Sequence, residues 1–112
     1  MWRDEGLLLD MLLAARKILR YTDRMPREEF LTNALTQDAV MRNIQIVGEA
    51  ARKVSPSFKE SHPEIPWASM VGMRHRLVHE YTRIVPDKVW GVVELDIPRL
   101  IRQIEPLVPP EE

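Results

Sequence analysis

The chain has 112 residues, 45% of them hydrophobic and 29% charged, and carries a formal net charge of −1. That length suits one compact domain with its own core, and the near-neutral balance excludes attraction to nucleic acid by overall charge, so any anionic ligand must be met by a local basic patch. There is no cysteine, which removes disulfides and thiolate metal sites. Asp4 and Glu5 precede the first apolar run, the wrong order for a signal peptide. No apolar stretch reaches membrane-spanning length, and a soluble cytoplasmic protein is the expectation.

Taken in chain order, four long apolar patterns have helical period and none alternates like a strand. Leu7, Leu8, Met11, Leu12, Ala15, Ile18 and Leu19 mark one face of the first. "YTDRMP" breaks it, and Pro26 opens a short amphipathic piece, "REEFLTN". The next helix, "TQDAVMRNIQIVGEAARKV", has Thr36 as its expected N-cap and a stripe of Val40, Ile44, Val47, Ala51 and Val54. Gly48 inside it costs about 1 kcal/mol relative to alanine, which points to close helix–helix contact. "SPSFKESHPEIP" reads as a connection. Pro66 then opens a helix running through "WASMVGMRHRLVHEY", with Trp67, Met70, Val71, Leu77 and Val78 as its buried stripe. The last helix is expected to start with Asp87 as N-cap and to kink at Pro98. It carries Val89, Trp90, Val93, Ile97, Leu100, Ile101, Ile104 and Leu107, and the tail "VPPEE" is expected to fray. The expected architecture is an all-α bundle, a single domain over 1–112, with four long helices and one short helix. Met41, Ile46 and Trp2 lie off the core stripes, and surplus apolar surface on a small bundle signals a partner or a self-interface.

The titratable side chains concentrate in "GMRHRLVHEY", residues 72–81. Arg74 and Tyr81 fall on the stripe begun by Trp67, and a guanidinium at a core position is a conflict of levels of the kind found at functional sites. The alternative is that Arg74 snorkels outward or pairs with a carboxylate such as Glu49. His79 projects to one flank. Together the three side chains suit a phosphodiester: the histidine moves protons near neutral pH, the arginine fork holds charge on phosphate oxygens, and the phenol positions a phosphate or stacks on a base. The bland alternatives are a capping histidine and a tyrosine that simply packs. His75 and His79 are four apart, which is metal-ligand spacing on a helix, but only Glu80 and His62 are at hand to complete a set. Arg76 and Glu80 read as an i, i+4 ion pair, and Arg83 extends the basic patch or is solvated.

With these residues in view the chain resembles the HEPN superfamily, and within it the HepT-like toxins of toxin–antitoxin pairs. The signature R-x-x-x-x-H-x-Y is present as Arg74, His79 and Tyr81. The flanks "LTQDAVMRNIQIVGEAARKVSP", "HPEIPWASMVGMRHRLVHEY" and "VWGVVELDIPRLIRQI" extend the likeness over nearly the whole chain. The resemblance implies a HEPN-type helical bundle that dimerises with its motif helices close together. It further implies a metal-independent endoribonuclease with no cofactor. Arg74 and His79 would be catalytic, while Arg74, His75, Arg76 and Tyr81 would meet RNA. A nucleotidyltransferase antitoxin would adenylylate Tyr81, in a homodimer or a larger hetero-oligomer. One departure stands out: His75 follows the motif arginine where the family commonly has asparagine. A shared site also answers a physical difficulty, because two copies of the cluster make a basic cleft in a nearly neutral protein. A non-catalytic RNA- or nucleotide-binding module is the alternative, and an interaction protein whose motif only knits a dimer is a third.

Overall fold

The computed structural model describes residues 3–79 and 83–110. α1 (Arg3–Tyr21) presents Leu8, Met11, Leu12, Ala15 and Ile18 to the interior. It packs along α3 (Ala34–Lys53), the central helix, on whose stripe Val40, Ile44, Val47 and Ala51 are buried as their spacing requires. Between them α2 (Arg27–Leu31), starting after Pro26, inserts Phe30. α4 (Pro56–Ser61) follows, then α5 (Trp67–Val71) and α6 (Met73–Leu77) on either side of Gly72. Two short antiparallel strands, β1 (Val78–His79) and β2 (Arg83–Ile84), come next. α7 (Pro86–Gly91), a π-turn over Val92–Asp96 and α8 (Ile97–Ile104) return across α1. The molecule measures 40 × 33 × 20 Å, and its thinnest dimension is that of two helix layers at about 8–10 Å between axes. One apolar cluster holds α1, α2, α3, α5, α6, α7 and α8 together. It is the expected all-α bundle with a minor two-stranded addition.

Gly48 fills the role its position in α3 suggests. A Cβ there would lie 3.1 Å from the Met70 carbonyl oxygen and 3.5 Å from that of Val71. The backbone of α5 therefore rests directly on α3, which fixes the element that leads into the motif.

Several local expectations are corrected. The N-cap of α3 is Asn33, whose side chain accepts from the Thr36 backbone N–H at 3.0 Å, so Thr36 is the capped residue and not the cap. "SPSFKESHPEIP" contains helix α4, capped by the Ser55 hydroxyl with Pro56 in its first turn. Asp87 is not a cap: Pro86 occupies the first turn of α7, and Asp87 instead binds the Arg27 guanidinium on α2. Pro98 lacks an N–H and its ring crowds the carbonyl four residues back; the helix answers with a π-turn immediately before it, in which the Ile97 N–H reaches the Val92 carbonyl, and α8 runs on from Ile97. Ile101 and Leu107 are only partly buried. Val108 packs on the core, Pro109 and Pro110 are exposed and line a hollow with Leu9, Leu12 and Arg16 of α1, and Glu111 and Glu112 of the expected frayed tail lie outside the described residues. Met41 is buried and Ile46 half-buried, whereas the apolar residues left exposed include Leu13, Leu35, Val71 and Leu95. Trp2 lies outside the described residues.

Asp4 ties α1 to the cap of α4. The Ser55 hydroxyl and backbone N–H both donate to its carboxylate, at 2.6 and 2.9 Å. The side-chain bond, then the backbone bond, hold its pKa below the usual carboxylate value. A depressed folded-state pKa means stability that is present above the unfolded value and lost as pH falls through the folded one. Asp4→Asn is expected to cost about 1 kcal/mol at pH 7, a charged hydrogen bond discounted for partial exposure. The deficit should shrink in urea melts run toward pH 3; an equal deficit at both pH values would remove the charge from the explanation.

Candidate functional site

The approach to the motif is built on aromatic packing. The Trp67 indole N–H donates to the His62 carbonyl at 3.0 Å. Phe58 meets the edge of the Trp67 ring and stacks on the His62 ring at 4.5 Å. His62 Nδ1 lies 3.3 Å from Glu64. His62 is thus part of this corner and not of the motif cluster.

The helix expected through Tyr81 ends at Leu77. Val78 has extended backbone, with φ −116 and ψ 129, and the Val85 N–H donates to the Leu77 carbonyl at 2.9 Å. The cause is legible: Val78, Thr82, Ile84 and Val85 are β-branched residues that favour extended backbone, and Pro86 bars Val85 from the helical region. The motif therefore straddles a helix-to-strand junction. Arg74 sits in the last turn of α6 and His79 on β1, where it faces Arg83 across the ladder. His75 and His79 do not share a helix face, so the i, i+4 metal spacing is corrected. Among the described residues, no three His, Asp or Glu side chains are grouped to hold a metal ion.

The buried stripe runs Trp67, Met70, Met73 and Leu77; Val71 is exposed and Val78 half-buried. Met73 takes the inward position, so Arg74 turns outward and is not buried. Glu49 does not hold it, because that carboxylate is exposed and binds Arg52 at 3.2 Å. Arg74 instead lines a cavity of about 410 Å³ between α3 and the hairpin, with Asp38, Met41, Arg42, Gln45, Val78 and Ile84. A second hollow beside Gly48 also has Arg74 on its wall. Arg76 is about 200° around the helix from Arg74 and hydrogen-bonds the Ser69 carbonyl and hydroxyl on α5. His75 is exposed.

The hairpin sorts its side chains by pleat. The cross-strand pair Val78 and Ile84 lines the Arg74 cavity. The next pair, His79 and Arg83, is exposed and stands on the opposite face of the ribbon, as alternation requires. Within one chain Arg74 and His79 thus address different sides of the hairpin. Glu80 and Tyr81 lie outside the described residues, and so do the expected Arg76–Glu80 ion pair and the place of the motif tyrosine. Arg42 was not singled out from the sequence. It sits 32 residues before Arg74 on another helix, and no spacing rule connects the two.

No described helix is long and apolar enough to cross a membrane. Comparison with known proteins gives one family. The profile described as "Ribonuclease HepT-like" matches residues 11–107. "Probable ribonuclease HepT" of Thermococcus cleftensis is 39% identical over 100 residues, covering 89% of this chain and 91% of that protein. "Putative RNase MJ1380" of Methanocaldococcus jannaschii is 34% identical over 101 residues, covering 90% and 93%. No solved structure matches the chain significantly. The match spans the central helix, the motif and the returning rod alike: this chain belongs to the HepT-like ribonuclease family.

Proposed function

We propose that the protein is a metal-independent endoribonuclease, the toxin of a toxin–antitoxin pair, working through a site shared by two copies. The observation that carries this reading is Arg74. In a member of a ribonuclease family it turns out of the core at the end of α6, lines an open cavity and makes no hydrogen bond or ion pair with another described residue. The reaction is attack of a ribose 2′-hydroxyl on the adjacent phosphorus. His79 accepts the hydroxyl proton as the P–O2′ bond forms, and the protonated imidazole returns it to the 5′-oxygen as the P–O5′ bond breaks, so the products are a 2′,3′-cyclic phosphate and a free 5′-hydroxyl. Arg74 binds the non-bridging oxygens, where charge accumulates. These two side chains cover the proton and the charge, so the reaction calls for no metal. Arg76 and Arg83 add positive potential around the strand, and the exposed His75 imidazole offers RNA a further polar contact.

The hairpin pleat favours a composite site. His79 leaves the side on which Arg74 of its own chain stands, and a two-fold axis gives each arginine the histidine of the other copy. Tyr81, two residues beyond His79, is the point of control. Adenylylation by a cognate nucleotidyltransferase would place a bulky phosphate where the substrate must approach and would offer Arg74 an anion in competition with RNA.

The test is incubation of the purified protein with single-stranded RNA in the presence of a chelator. We expect cleavage with 2′,3′-cyclic phosphate ends, abolished when the 2′-hydroxyls are replaced by hydrogen. Loss of activity to chelation, restored by a divalent ion, would overturn the metal-independent mechanism. RNA binding with no cleavage would leave the binding-module alternative. The same preparation should sediment as a dimer, and treatment with the nucleotidyltransferase and ATP should add AMP to Tyr81 and silence it.

A further inference from the structure

The ribonuclease reading uses Arg74 and leaves the rest of its cavity unexplained. Four of the protein's other arginines are engaged: Arg16 with Glu105, Arg27 with Asp87, Arg52 with Glu49 and Arg76 with Ser69. Others, Arg99 and Arg102 among them, extend into solvent as Arg42 and Arg74 do, without a hydrogen bond or ion pair to another described residue. What sets Arg42 and Arg74 apart is their place: they come from different elements, α3 and α6, and line the same cavity. Two like charges around one hollow repel each other, and the arrangement becomes favourable when an anion lies between or along them.

The cavity is not only cationic. Met41, Val78 and Ile84 give it an apolar lining, with Met41 buried and the other two half-buried against the core. Gln45 brings a carboxamide that both donates and accepts, and Asp38 is the one carboxylate among the lining residues. An apolar seat with a few convergent polar groups and two guanidiniums suits one nucleotide of an RNA strand. Its base meets apolar carbon, its edge is within the chemistry of a carboxamide, and its flanking phosphates meet arginine.

We propose that this cavity is a nucleotide subsite, with Arg42 binding the phosphate next to the one held by Arg74. The proposal rests on the ribonuclease reading for the identity of the strand and adds to it a second anchoring residue and a seat for a base. Arg42 is a binding residue and stands apart from the proton transfer; it holds the strand equally in the ground state and in the transition state. Asp38 at the rim opposes the backbone charge and limits the affinity.

The experiment measures binding of a fluorescent single-stranded RNA by the full-length chain carrying His79→Ala, which separates binding from cleavage. Arg42→Ala, Arg42→Lys, Arg74→Ala and Asp38→Asn are each added to it. Arg42→Ala is expected to raise Kd roughly 10-fold and to reduce the slope of log Kd against log salt by about 0.7, the value of one phosphate contact on a single strand. Arg42→Lys should restore the slope, since a point charge still meets the phosphate. Asp38→Asn should tighten binding. With His79 intact, Arg42→Ala should raise KM and leave kcat near its original value, the mark of lost uniform binding. Arg42 is exposed, so the melting temperature should not move; should it fall, Arg42→Gln keeps the stem packing and repeats the test. An unchanged Kd and slope for Arg42→Ala, with Arg74→Ala still weakening binding, would overturn the subsite and leave the ribonuclease reading standing. Binding that depends on Arg42 and Arg74 in a protein that never cleaves would overturn that reading and keep the subsite.

Discussion

His79→Ala is expected to lower the rate of RNA cleavage by about 10²–10⁴-fold, the range for removal of a general acid–base group. RNA affinity should change little, because Arg74 and the cavity beside it are untouched. The variant should fold normally: the His79 side chain is exposed and belongs to a two-residue strand at the surface. A shared site makes a sharper demand. His79→Ala and Arg74→Ala chains are each inactive alone. Refolded together they form mixed dimers, in which one site keeps both residues if the pair is drawn from two copies. Random mixing should then return about a quarter of wild-type activity. Mixtures as inactive as the separate variants would show that each chain uses its own pair.

The largest stability effect is expected at Phe30. This side chain is fully buried, and its ring lies 5.2 Å from that of Trp90, tilted at 41°. It joins α2 to α7, while the Phe30 carbonyl accepts from the Gln37 side chain on α3 at 2.8 Å. Phe30→Ala should cost about 3–5 kcal/mol, the sum of lost transfer energy and the cavity left behind. Domains of this size have about 5–15 kcal/mol in all, so the variant should be partly unfolded on mild warming. Chemical denaturation reads the loss directly. A cost below about 1 kcal/mol would mean that α2 and α7 collapse onto each other and that the aromatic contact is dispensable.

The long helices were legible because their periodicity is strong and uninterrupted. Val40, Ile44, Val47 and Ala51 all point inward in α3, Val54 is buried at its C-cap, and Gly48 marks the contact with α5. The motif helix misled for a local reason. From Trp67 to Leu77 the pattern is helical, and the eye carries it on to Tyr81. The signals that stop it are the β-branched residues from Val78 to Val85 and the proline after them. Their pull outweighs a helical periodicity that by then has only one or two apolar residues left to support it. Caps failed in the same way: Asn33 and Thr36 are both good cappers, and the choice between them rests on which carbonyl closes the first turn. Arg42 was invisible for a different reason. A cavity between two elements is a property of packing: Gly48 seats α5 on α3, and α6, which follows α5, brings Arg74 to a hollow that Arg42 of α3 also lines.

The hairpin at the motif has a consequence for how the spacing of its residues can vary. On a helix, each added residue rotates a side chain by about 100°, and position changes by degrees. On β1 the choice is binary: one residue more or fewer between Leu77 and His79 would swing the imidazole from its present face to the one that Val78 now occupies, over the Arg74 cavity. Two residues would restore it. The relation between arginine and histidine in this fold is therefore governed by parity: an odd insertion moves the imidazole to the side on which Arg74 of its own chain stands, while an even one keeps it on the opposite side.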